Sequence, residues 1–140
     1  MRRKLKGLKK KFERGFTLTE MLVVLIIIGV LVLLAVPRFT AVVKRAKMTE
    51  AKLMLKQVYT LEEAYFTEFD KYSKNLGEIG FEQERLVTEG GEARYRIMIE
   101  SATDTSFVAK AISVVDYDKD GQFNVWRIDH RKRLVEELPD

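Results

Sequence analysis

The chain has 140 residues, 46% of them hydrophobic, with no cysteine and with 25 lysines and arginines against 21 acids, a formal charge of +4. That length allows one small domain plus an extension, and so ordinary an apolar fraction excludes a protein with many membrane spans. Without cysteine there is no disulfide, no thiol chemistry and no cysteine metal site, so an exported domain must be held together by packing.

Residues 1–15 carry eight of the basic residues and one acid, Glu13, which leaves 17 basic and 20 acidic residues beyond them, about −3. The positive charge therefore belongs to a leader and not to a nucleic-acid surface. From Met21 to Val36 the sequence reads MLVVLIIIGVLVLLAV without a charge, and extending the run back to Phe16 adds only Glu20. As a helix, residues 16–36 span roughly 30 Å at about 1.5 Å per residue, the thickness of a bilayer's hydrocarbon core. Cations just before such a span predict a cytoplasmic N-terminus and an exported remainder.

Beyond Pro37, apolar residues recur at Met48, Ala51, Leu55, Val58, Leu61 and Tyr65, one face of an amphipathic helix, with Lys44, Lys47, Lys52, Lys56 and Glu63 opposite. A proline within a helical pattern at a membrane more often kinks the helix than ends it, so one helix of about 50 residues is predicted, with a kink near Pro37. Residues 70–93 are punctuated by Ser73, Asn75, Gly77, Gly80, Gly90 and Gly91 and read as a loop. Three strand-like runs follow: Tyr95 to Ser101, Phe107 to Val115 and Phe123 to Asp129. The segments 102–105 and 118–121 join them, favouring an antiparallel meander.

A sheet of that kind needs one buried face, and the second half of the helix is the amphipathic surface available to cover it. The expected fold is α+β, a long N-terminal helix whose first half spans a membrane and whose second half carries a small antiparallel sheet. The expected divisions are a cleaved leader at 1–15, a span at 16–37 and a globular domain at 38–140.

The junction Gly15-Phe16-Thr17-Leu18-Thr19-Glu20 places a carboxylate a few residues inside an apolar span. A lone carboxylate in hydrocarbon costs about 2.5 kcal/mol or more, depending on depth, and asks for a cation. Cutting the chain after Gly15 supplies one, the α-amine of Phe16, whose unperturbed pKa is about 8. Between axially staggered helices the amine and the carboxylate can pair across subunits, coupling charge neutralisation to assembly.

The run G-F-T-L-T-E-M-L-V-V-L-I-I-I-G-V-L-V-L-L-A-V-P resembles the prepilin signature of type IV pilins and the related pseudopilins. The resemblance implies cleavage between Gly15 and Phe16 by a prepilin peptidase and methylation of the Phe16 amine. It further implies storage in the inner membrane and polymerisation into an extracellular helical filament by an assembly ATPase with a platform protein. Glu20 is then the assembly residue, meeting a neighbour's Phe16 amine, and Gly29 and Pro37 mark where the helix kinks or melts in the filament. The likeness extends loosely through Ala64-Tyr65-Phe66, Tyr72 and residues 118–129. It departs at the C-terminus, where many pilins close a loop with a disulfide that this chain lacks.

Asp116, Asp118 and Asp120 before Gly121 resemble the first half of a calcium loop, but the twelfth position holds Arg127 instead of an acid. A turn at Asp120-Gly121 with solvated acids is the favoured reading; calcium, the one cofactor considered, is the lesser. Tyr59, Tyr65, Phe66, Phe69 and Tyr72 read as core packing and subunit contact before an electron path. His130-Arg131-Lys132-Arg133 reads as a solvated turn, with nucleic acid only as a possible cargo of the filament. No catalytic constellation stands out, which points away from an enzyme. Three functions remain: a main filament subunit for motility, adhesion or DNA uptake; a minor pilin or type II secretion pseudopilin; and, from another class, an uncleaved membrane-anchored periplasmic binding module.

Overall fold

The structure is a computed structural model that describes residues 15–117 and 119–139, with the side chain of Thr40 left aside. It comprises a helix α1 (Leu18–Phe69) and strands β1 (Tyr95–Ala102), β2 (Phe107–Ser113), β3 (Val125–Asp129) and β4 (Leu134–Leu138). A short 3-10 turn at Val87–Glu89 lies before β1. Two compact units divide at Phe39 and Thr40.

In the first unit α1 is long and apolar enough to cross a membrane, and its side chains from Leu18 to Phe39 are all exposed. A helix apolar on every side has no stable place in water, so this exposure marks a surface made for lipid or for other helices. Gly29 and Pro37 both lie within the helix, which continues through them. Pro37 has no amide to give to the carbonyl four residues back, and glycine is a poor helix former, so these are its two weakest turns.

In the second unit the strands form one antiparallel sheet in sequence order. The fourth strand, β4, is additional to the three expected, and the joints differ from those expected: β1 and β2 meet at residues 103–106, but β2 and β3 are separated by residues 114–124. The tight hairpin expected at Asp120-Gly121 is therefore the far end of a longer loop. Tyr95, Ile97 and Ile99 of β1 alternate with exposed residues, as Phe107, Ala109 and Ala111 of β2 alternate with half-buried ones. With Trp126 and Ile128 they form the sheet's inner face.

Ala51, Leu55 and Val58 of α1 pack into that face, flanked by Met48, Leu61 and Tyr65, the predicted stripe. Ala109 and Ala111, fully buried at the middle of the sheet, leave room for a helix to approach. Ile79 and Phe81 bring the loop after α1 into the same core. Within that loop a Cβ on Gly91 would lie 2.0 Å from the Arg85 carbonyl oxygen, so only glycine fits.

Candidate functional site

The first candidate is the start of α1. Thr17 precedes the helix and Glu20 sits in its first turn. The Thr17 amide donates to Glu20 Oε2 at 2.8 Å, its hydroxyl donates to the same oxygen at 3.1 Å, and the Glu20 amide donates to Thr17 Oγ1 at 3.2 Å. This is a reciprocal capping box, which satisfies amides that a helix start leaves without partners and aims the carboxylate back along the chain toward Phe16. A cation was expected for Glu20; its partner within the chain is instead Thr17, and Thr-Leu-Thr-Glu carries the signature of the box.

Gly15 and Phe16 lie outside the helix, both exposed, and nothing would crowd a side chain at Gly15. Phe16, Thr19, Glu20, Val23 and Val24 line one shallow concavity. The arrangement joins an accessible backbone at 15–16, a carboxylate held one turn from it, and an uncovered apolar helix. Chemically it offers an exposed backbone and a carboxylate that other molecules can reach. Residues 1–14, most of the expected leader, lie outside the described residues.

The acidic loop is arranged around its own backbone. Asp116 accepts from the Lys119 amide at 2.6 Å and from the Gly121 amide at 2.9 Å, and Asp120 accepts from the Gln122 amide at 2.7 Å. Asp118 lies outside the described residues. Among the described residues, no three acidic, histidine or cysteine side chains converge where a metal ion would sit.

The loop's last residue, Asn124, is fully buried and joins distant strands. It accepts from Tyr95 Oη at 2.9 Å and donates to Glu136 Oε1 at 2.7 Å and to the Leu138 carbonyl at 2.9 Å. A noncovalent clasp thus holds the C-terminal strand to β1.

Of the aromatic residues, Tyr59, Tyr65 and Tyr72 pack against the core as expected, with Tyr72 and Phe107 centroids 5.0 Å apart, whereas Phe66 stacks on Tyr72 at 4.8 Å and Phe69, paired with Tyr65, is exposed. In the basic turn, Arg133 is tied to Asp129 at 2.6 Å and Lys132 lies over the Tyr59 ring. Arg131 is exposed there.

Comparison with known proteins agrees with this geometry. Residues 10–36 match the prokaryotic N-terminal methylation motif, and residues 37–122 match the family described as "Type IV minor pilin ComP, DNA uptake sequence receptor". Over 85 residues the chain is 44% identical to the type IV major pilin protein PilA of Myxococcus xanthus (strain DK1622), which covers 61% of this chain and 37% of that relative. The chain thus matches little more than a third of the relative's length. One match names a minor pilin and the other a major pilin, but both lead to the same family. With a methylation motif at the head of an exposed apolar helix and a sheet packed on that helix's second half, the chain belongs to the type IV pilins.

Proposed function

We propose that this pilin is a main structural subunit of a type IV pilus. A precursor is cut after Gly15 by prepilin peptidase, and the new Phe16 amine is methylated. Residues 16–37 hold the subunit in the inner membrane with its N-terminus in the cytoplasm and its domain outside. An assembly ATPase and its platform protein then drive polymerisation into an extracellular filament. The role is structural and requires no catalysis or cofactor by this chain.

The observation that carries this reading is the carboxylate of Glu20, held by Thr17 one turn from the cleavage site at the head of an uncovered apolar helix. Thr17 gives Glu20 hydrogen bonds but no charge, so the ion remains a strong acceptor for a neighbour's amine in a low-dielectric helix bundle. Replacing Glu20 with alanine in the native host tests it. Surface filaments should fall at least tenfold while the membrane-inserted subunit persists; unchanged filament yield would sink the reading and favour an anchored module.

A second reading, capture of DNA by the exported domain, is favoured by the match over residues 37–122 to a family described as a DNA uptake sequence receptor. Arg131, Lys132 and Arg133 are exposed cations of the β3–β4 turn, and Arg133 is already tied to Asp129. If this turn binds DNA, Arg131→Ala with Lys132→Ala weakens binding and reduces its salt dependence by about two phosphate contacts. Binding that is absent in the native chain, or unaltered by the pair, removes the turn from consideration.

A further inference from the structure

We propose that Glu62 is a proton-operated latch, fastening residues 70–81 to α1 when its carboxyl is neutral and loosening them when it ionises. The inference does not depend on the filament reading.

Ala51, Leu55, Val58 and Glu62 follow one another along α1 at steps of four, three and four, and each is fully buried. The fourth place of such a row calls for an apolar side chain. Its carboxyl has one donor, the Ser73 amide at 3.1 Å on Oε2, while the buried Oε1 has no hydrogen-bond partner. A fully buried acid with one bare oxygen suits the neutral form, because the ion needs water or several donors to replace its hydration.

The groups around it supply no compensating cation. On α1 the neighbouring Glu63 adds like charge, and it accepts the Tyr72 hydroxyl at 3.0 Å. From the following segment, the Ser73 hydroxyl is given to Glu78 Oε2 at 2.5 Å, so a third carboxylate lies beyond Ser73. Lys71 and Lys74 in that segment are exposed, and among the described residues no lysine or arginine pairs with Glu62. On the sheet side, the Phe107 ring lies tilted against Tyr72, and the buried Asp129 is committed to Arg133 and its own turn.

Burial pushes the Glu62 carboxyl up to about 7, with the Ser73 bond opposing and Glu63 adding to the rise. Burial and the bond to Glu63 raise the Tyr72 hydroxyl to about 12, so it stays a donor throughout the range in which Glu62 titrates. The sign is that of a raised acid: its contribution to stability is complete below the ordinary carboxylate range and is lost as pH rises through about 7. Ionisation is relieved by letting water reach Oε1, and the residues that must move are those hung on Ser73. Through Ile79 and Phe81 the movement reaches the edge of the core.

The test is amide hydrogen exchange of residues 70–81 in the full-length chain in nonionic detergent, corrected for intrinsic exchange, with Glu62→Gln alongside. Gln keeps the shape and the acceptor for Ser73 but cannot ionise. Protection of the segment relative to β2 should fall roughly tenfold or more between about pH 6 and 8 in the native chain and stay level in the variant. A level native profile, or an equal fall in the variant, overturns the latch. Infrared spectroscopy of the native chain is independent of whether the variant folds: a buried carboxylic acid band should vanish across neutrality, and its absence at about pH 6 also overturns the proposal.

Discussion

The hydroxyl of Tyr95 donates to the side-chain oxygen of Asn124 at 2.9 Å, joining the first strand to the residue that leads into the third. Both residues are fully buried, and the Asn124 amide nitrogen continues the connection to Glu136 and Leu138 of β4. One side chain does by hydrogen bonding what a cysteine-free chain cannot do by a covalent bridge. Asn124→Ala removes the oxygen that accepts from the Tyr95 hydroxyl and frees β4, and is expected to cost about 3 kcal/mol of the domain's stability. Chemical denaturation should show the loss, with exchange protection falling first at 134–138; a change under about 0.5 kcal/mol would remove the clasp from the account.

Acid stability rests on Asp129. Burial pushes its carboxyl up, but the Arg133 side chain and the amides of Arg133 and Arg131 outweigh burial and hold it below the usual range. A lowered acid stabilises the fold above the ordinary carboxylate range and loses that contribution as pH falls through its native value. Asp129→Asn is therefore expected to weaken the domain by about 2 kcal/mol at neutral pH and to flatten its loss of stability below about pH 4. Thermal unfolding across pH reads both. Its slope is opposite in sign to that of Glu62, so the native domain should be most stable between the two titrations.

Gly91 is set by contact with the Arg85 carbonyl. Gly91→Ala forces the 85–93 turn apart, including the Ala93 amide bond to Arg85 at 3.1 Å and the Gly91 amide bond to Leu86 at 2.9 Å. A loss of about 2 kcal/mol in denaturant unfolding is expected. Gly77→Ala, whose nearest neighbour is the tip of Asn75, is the milder control.

Calcium should leave the protein unchanged. Asp116 and Asp120 already receive backbone amides, and displacing those bonds would undo the loop that a metal site needs. Millimolar calcium is expected to shift the thermal midpoint by no more than magnesium does; a saturable, calcium-specific rise would assign the loop an ion.

Helical spacing made the buried stripe of α1 legible, because a 3.6-residue period survives in the letters, and the charge-free apolar run before Pro37 marked its first half. The first three strands were visible from a different signal, short runs rich in Val, Ile, Phe, Tyr and Trp bounded by turn residues. β4 was not: Leu-Val-Glu-Glu-Leu has two adjacent acids and little alternation, and an exposed edge strand needs none. It is held by distant partners, Asn124 and the Lys110 ammonium, which bonds Glu137 and Glu100 at 2.9 Å each. Glu62 was passed over because a charged residue beside Glu63 reads as surface. Only the packed loop reveals that it faces inward. At the helix start the reverse holds: the partner of Glu20 stood three residues away in the sequence, hidden by the search for a cation.

Intact-mass and N-terminal analysis of filaments sheared from the native host tests the central claim most directly. The account expects abundant fibres built of a chain that begins at Phe16 and carries one extra methyl on its amine. A full-length chain confined to the membrane, with Gly15 and Phe16 still joined, would contradict it.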